Sequence, residues 1–384
     1  MPSTHITTRM LLAGGAVCAT AAGLYAVAFN PPAAPASAPH VLYVSQNGAD
    51  NNPGTETAPF KTIVRASRAA LPGTSIRVAP GRYEGGFKTT VSGSEMSRIY
   101  YISAIKWAAR IVPPSNSSSD TAWDNRGNYV DIDGFEVDGG NPHAGTRWTH
   151  GIYNGGSYND IRRNHVHDIA RDAPCNGADG SGIGVDSYYR GEQTGIIGNS
   201  VHDIGAPGCK TLHGIYIGSS GSARNNVVYA IGGAAIQMWH DANNVIVAYN
   251  TVSNASTGIL VGGGDYYHAR GPNDFTIVFN NIVYDNKVGI SEQGATGIHN
   301  SYRNNLVFRN SSANWDLRNG LAHEGTVGAE PQFVRYSRAG TPDFSLLKAS
   351  PAIGKANQMH APEVDFDGRP RSLATGYDIG AYQH

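Results

Sequence analysis

Between residues 150 and 306, apolar and polar positions follow a unit that recurs six times. Each unit holds two short apolar runs. The first runs are HGIYN, SGIGVD, HGIYIG, AAIQMW, TGILVG and VGISEQ, centred on Ile152, Ile183, Ile215, Ile236, Ile259 and Ile290. These isoleucines are 31, 32, 21, 23 and 31 residues apart. The second runs end at a recurrent asparagine, at Asn164, Asn199, Asn225, Asn250, Asn280 and Asn304, each two residues before an apolar residue. A period in the twenties with insertions in some copies marks a solenoid.

The runs are short and rich in Val, Ile and Tyr, which makes them strands rather than helices. Alternation turns Ile183/Val185, Ile215/Ile217, Ile236/Met238 and Ile259/Val261 inward and their neighbours outward. Each copy is therefore expected to be one coil of a parallel β-helix, with coils stacked ~4.8 Å apart. Asparagine tolerates the left-handed conformation of a tight turn, and stacked amides bond to one another as a ladder. Asp133 is expected at the ladder position of an earlier coil.

The flanks complete an all-β, single-stranded solenoid. Val41–Gly85 predicts a strand, a polar turn, a helix from about Pro59 to Ala70, and a strand at Ser75–Val78. The helix is expected to cap the open N-terminal end, where an exposed edge would pair with other chains. Ser97–Ser103 and Tyr129–Val137 supply further strands, and Pro113–Asn128 is expected to be a loop. After Trp315 the repeat weakens, and the tail is expected to cover the C-terminal end. The domain is expected to run from 39 to 384, with a cap at about 41–78, regular coils at about 129–310, and C-terminal coils and tail at 311–384. Residues 1–38 carry His5 and Arg9, an apolar run from Met10 to Phe29, and an Ala/Pro-rich stretch. That pattern predicts a secretory signal peptide or an N-terminal anchor followed by a linker.

The chain has 384 residues, 48 of them Gly, and a net charge of −1. Near-neutrality argues against a nucleic-acid partner or an anionic membrane surface. No stable membrane contact is expected unless the N-terminal segment stays uncleaved, and a monomer is expected. Cys175 and Cys209 fall eight to nine residues after Val166 and Val201, in the same loop of adjacent coils. In a secreted, periplasmic or cell-surface protein they are expected to form a disulfide.

YVSQNGADNNPGTETAPFKTI (Tyr43–Ile63) with RVAPGRYEG (Arg77–Gly85) resembles the opening of secreted right-handed parallel β-helix proteins of the pectate-lyase-like superfamily. The asparagine-bearing repeats and the ending SPAIGKANQMHAPEVDFDGRPR…YDIGAYQH resemble it too. The resemblance implies a substrate groove along the first sheet, between the loops that precede and follow it. The loops Asp168–Gly180, Asp203–Leu212, Asp186–Thr194 and Gly262–Asp274 fall in those places. A polysaccharide is the expected partner, and Tyr153, Tyr216, Trp239, Tyr266, His268 and Arg270 are the candidate sugar-binding residues.

Three readings compete. β-Elimination of a uronic-acid polymer needs a cation on the carboxylate, a base and an acid. Lys210 or His240 is the candidate base and Tyr267 the acid, with Asp265 beside them. Asp179 and Asp186 are candidate Ca²⁺ ligands, because hard oxygens suit that ion. No organic cofactor is expected. Glycoside hydrolysis needs two facing carboxyl groups, drawn from Asp186, Asp241, Asp265 and Glu292. Alternation places Glu292 inward, so either its strand ends early or the carboxylate is buried among partners. The third reading is a binding or adhesive solenoid without catalysis. His150 and His213 repeat at corresponding coil positions, which favours a structural role for both.

Overall fold

The computed structural model describes residues 40–384, apart from 116–118, 141–146, 172, 174, 176–178, 373 and 375. The expected signal or anchor lies outside the described residues. No helix among the described residues is long and apolar enough to cross a membrane.

The chain winds into coils whose strands form three parallel faces. On the first face an inward column runs Phe87, Trp123, Ile152, Ile183, Ile215, Ile236, Ile259, Ile290, Trp315. The six isoleucines of the repeat are thus direct neighbours, and all are fully buried. The second face carries a column from Leu42 and Ile76 through Tyr101, Ile132, Ile161 and Ile196 to Tyr302. The third carries Tyr83, Ile111, Val137, Val166, Val201, Val228, Val252, Val283 and Val307. Identical residues in register let β-branched side chains interlock at crystal-like density.

Short repeats and long ones differ at one corner. Where the isoleucines are 21 and 23 residues apart, no loop separates the third face from the first. The strands Val227–Met238 and Thr251–Gly263 run on through a bulge between Ile231 and Ala234. Where the spacing is longer, loops after His167 and Ile204 interrupt that corner, and loops after Val185 and Gly263 interrupt the next.

The asparagine ladder is real but shifted by one residue in three coils. Its amides run Asn164, Asn199, Asn226, Asn250, Asn281, Asn305, each Nδ2 donating to the next Oδ1 at 2.9–3.1 Å. Asn225, Asn280 and Asn304 occupy the preceding left-handed position, with φ of 61°, 57° and 52°. That position is held by Arg163, Gly198 and Tyr249 in the other coils. The Asn-Asn pairs fill both sites, one for conformation and one for hydrogen bonding. Asp133 is not in the ladder. Phe135 holds that place and donates its N–H to Asn164 Oδ1 at 2.9 Å, while Asp133 pairs with Arg163.

The helix spans Ile63–Ala69, shorter than expected. Phe60 is drawn into a bridge with Val44, and the Asp50 carboxylate accepts from the N–H groups of Lys61 and Thr62. The helix therefore starts at the Thr62 cap, whose hydroxyl accepts from Arg65 N–H at 3.1 Å. It buries Ile63 and Ala66 over the first coil. Thr121–Asn125, expected within a loop, is a first-face strand that puts Trp123 under Ile152. The tail takes another course from the one expected. It lies along the side of the stack, where Phe333, Phe344, Leu346, Ile379 and Ala381 cover Val227, Tyr229, Ile282, Tyr284 and Leu306 on the third face. Arg371 secures it by donating to Asn225 Oδ1 at 2.8 Å and to the Gly380 carbonyl at 2.9 Å.

Candidate functional site

Outward positions of the first face carry Tyr153, Gly184, Tyr216 and Gln237 in successive coils. Loops on both sides rise beyond them and make a cleft of about 450 Å³. His150, Tyr153, Asp179, Asp186, Tyr216, Trp239, His240, Asp265 and Tyr267 line it. An adjoining hollow of about 610 Å³ shares Thr211, His213, Gln237 and Trp239, and adds Lys210 and Lys287. Together they form an extended groove crossing several coils.

The loop after Gly263 supplies the most organised part of the groove. Asp241 anchors it, accepting from the backbone N–H groups of Tyr267, His268 and Ala269 at 3.0–3.1 Å and from Ser187 Oγ at 2.8 Å. Burial works to raise the Asp241 pKa, but these hydrogen bonds outweigh it and hold the carboxyl below its ordinary value. His240 Nδ1 lies 2.8 Å from the Asp265 carbonyl oxygen, which only accepts, so Nδ1 carries the proton. Its Nε2 lone pair then receives Tyr267 O–H at 3.0 Å. Burial, and after it the charges of Asp186, Asp241 and Asp265, raises the Tyr267 pKa and keeps its hydroxyl protonated. The Asp265 carboxylate accepts from Trp239 Nε1 at 3.1 Å.

Among the sequence-predicted residues, Tyr153, Asp179, Asp186, Tyr216, Trp239, His240, Asp265 and Tyr267 meet in one cleft. Lys210 lies in the adjoining hollow, exposed, whereas a lysine base needs desolvation. Tyr266, His268 and Arg270 line neither part. Tyr266 packs its hydroxyl against Gly263 and Gly271. His268 turns Nε2 to the Tyr188 carbonyl at 3.3 Å, and Arg270 is exposed. Asp241 fixes the loop backbone, and that bond decides which way each side chain leaves it.

Asp186 has both oxygens engaged, by Tyr153 O–H at 3.0 Å and Tyr188 N–H at 3.0 Å. Glu292 is fully buried and accepts from Tyr302 Oη at 2.7 Å, Arg318 N–H at 2.8 Å and Asn300 Nδ2 at 3.1 Å. It belongs to the core, as does Asp241 to its loop. The two repeated histidines part ways. His213 Nδ1 accepts from Ala234 N–H at 3.2 Å, and burial lowers its pKa to about 4. His150 is half-buried, its pKa also lowered by burial, but among the described residues its Nδ1 has no hydrogen-bond partner. Both rings line the cleft. The expected Cys175–Cys209 disulfide is formed, with Cα atoms 4.9 Å apart. It ties the two loops that bring Asp179 and Lys210 to the groove.

Residues 46–90 match a family described as "Protein of unknown function (DUF1565)". The chain is 41% identical over 54 residues to the uncharacterized protein YwoF of Bacillus subtilis (strain 168), a match covering 14% of this chain and 12% of that protein. The pectate lyase Pel9A aligns over 90% of this chain and 96% of its own, at TM-score 0.56 and 16% identity. The chain has the right-handed parallel β-helix fold. A structure titled glycoside hydrolase aligns with this β-helix at TM-score 0.51 and 8% identity, covering 72% of this chain and 89% of its own. XylC in complex with xylose aligns at TM-score 0.50 and 14% identity, over 70% of this chain and 65% of its own. At these identities the likeness is one of fold, and the groove's chemistry rests on its own residues.

Proposed function

We propose that this β-helix cleaves an acidic polysaccharide by β-elimination in the first-face groove. The observation that carries this reading is the contact between His240 Nε2 and Tyr267 O–H at 3.0 Å, with Nδ1 fixed by the Asp265 carbonyl. It couples a lone pair to a protonated acid, the two functions elimination requires. In this reading Tyr267 O–H turns from Nε2 to the glycosidic oxygen, and the His240 Nε2 lone pair it frees takes the proton at C5 of the uronate. Tyr267 gives its proton to the leaving glycosidic oxygen. The proton on His240 then returns to Tyr267 through the same contact, and the pair is restored. Lys210 and Lys287 supply positive charge to the substrate carboxylate from the adjoining hollow, and Gln237 between the two parts supplies amide donors. Trp239 and Tyr216 offer faces to sugar rings.

Paired-carboxylate hydrolysis has weaker support. Glu292 and Asp241 are taken up structurally, and Asp186 and Asp265 already accept from Tyr153 and Trp239. Calcium stays out of the proposal. Asp179 and Asp186 line the cleft, but the described acidic and imidazole groups close enough to share one ion in threes lie on another face. The folds shared with a pectate lyase and a glycoside hydrolase accord with a glycan substrate.

The test incubates the protein with acidic and neutral polysaccharides, with calcium or with chelator, following ultraviolet absorbance and reducing ends together. Elimination raises both on an acidic polymer, with calcium giving no dependence. Reducing ends alone would replace elimination with hydrolysis. Silence on both would leave a binding solenoid.

A further inference from the structure

The middle coils of the third face gather three imidazoles and a carboxylate that the groove does not use. Register sets His165 beside Glu136, and His167 beside His202. Alternation turns all four outward on one surface, across three successive coils. Stacked rings wedge the histidines. Trp107 lies 4.7 Å from His165, His167 lies 5.2 Å from His202 at 7° between planes, and Tyr229 lies 4.7 Å from His202.

The dipeptide His-Asp occurs twice here, in VHDIA and VHDIG, and each aspartate holds the preceding ring. His167 Nδ1 is 2.7 Å from Asp168 Oδ2, and His202 Nδ1 is 2.7 Å from Asp203 Oδ2. An ionised carboxylate only accepts, so each Nδ1 carries a proton and each Nε2 is turned to the far side. His202 Nε2 points at His165 Nε2, 2.7 Å away, and His167 Nε2 points at Glu136 Oε1, 3.0 Å away. The second contact sets lone pair against lone pair unless a proton or a cation lies between. Ligand atoms of Glu136, His165 and His167 lie within 4.8 Å of one another. Around them Glu136, Asp138, Asp168 and Asp203 face two guanidiniums. Arg110 pairs with Glu136 and Asp138, and Arg171 with Asp168 and Asp203, so acidic charge is in excess. The Glu136, His167 and His202 side chains keep 10–18% of their surface open to solvent.

We propose that Glu136, His165 and His167 form a site for one divalent transition-metal ion of the zinc class, which staples two adjacent coils. Imidazole nitrogens with one carboxylate select such an ion over calcium. Asp168 orients the His167 ring, as carboxylates behind metal-binding histidines commonly do. The site is on a different face from the groove and stands independently of the reaction proposed there.

The experiment strips the full chain with chelator, titrates it with Zn²⁺ by calorimetry and with Co²⁺ by visible absorption. One equivalent of each is expected, with cobalt bands of imidazole coordination and a raised melting temperature. His167→Phe keeps a flat ring in the stack and removes the nitrogen, and Glu136→Gln keeps the shape and removes the charge. Each is expected to weaken zinc binding at least about tenfold. Wild-type protein that takes up no ion overturns the proposal, and so does either folded variant binding zinc as tightly as wild type. The histidines would then be only a ladder of stacked rings.

Discussion

The first and third faces are built from the same coils, yet they end differently. Inward, both carry an unbroken apolar column in register, isoleucine on one and valine on the other. Outward, the first face leaves Tyr153, Tyr216 and Gln237 half-buried beneath loops but open to a cleft. The third face presents Val227, Ile282, Leu306, Tyr229 and Tyr284, which the tail covers. Inward residues are decided by the coil's own period. Outward residues are decided by what comes to cover them, and on this molecule that is set by segments far away in sequence. A solenoid can thus keep one core and give each face its own use.

The comparison can be broken most forcefully at what the faces share. Asn250→Ala removes a ladder amide and strands the Ala223 carbonyl and the Asn226 donors inside the turn stack. Each orphaned group costs about 1–3 kcal/mol, so a loss of about 4 kcal/mol is expected by denaturant unfolding. Phe344→Ala tests the covered face alone. Its ring is 2% exposed against Tyr229 and Phe333, and about 3–4 kcal/mol should be lost, with activity of the folded fraction unchanged. A fall in catalytic rate as large as the fall in stability would show that the faces are not independent.

A pH series probes the groove face. His213 is buried and its folded pKa is about 4, below the ordinary 6.5. Above 6.5 it is neutral in both states and exerts no effect. As pH falls from 6.5 towards 4, the unfolded chain takes a proton that the folded chain refuses, and stability drops by roughly 3 kcal/mol. In His213→Gln that acid slope should flatten. An unchanged slope would place the acid sensitivity elsewhere.

What the sequence revealed follows the same division. The six isoleucines, the first-face strands that hold them and the loop insertions between them are legible, because each is a local signal repeated until chance is excluded. Asn225, Asn280 and Asn304 were misassigned by one residue, since left-handed conformation and amide laddering favour the same residue type. Thr121–Asn125 escaped notice because Trp123 is one residue of its column with no repeat around it. In the groove, alternation correctly placed Tyr153 and Tyr216. It has no force in the loop 264–271, where Asp241 aims the backbone and turns Tyr266 and His268 aside. His150 and His213 share one repeat position, and only the coil above decides which has its Nδ1 satisfied. Ala234 N–H serves His213, and among the described residues nothing serves His150 Nδ1.

The most direct measurement compares unsaturated-product formation by the wild-type protein and by Tyr267→Phe on an acidic polysaccharide. That substitution removes one exposed-side hydroxyl and leaves the ring stacked on His240 at 4.1 Å. The account predicts a rate loss of about 10²-fold or more with the melting temperature unchanged. Wild-type cleavage that proceeds equally well in Tyr267→Phe would contradict it, as would a wild-type protein that forms no unsaturated product on any acidic polymer.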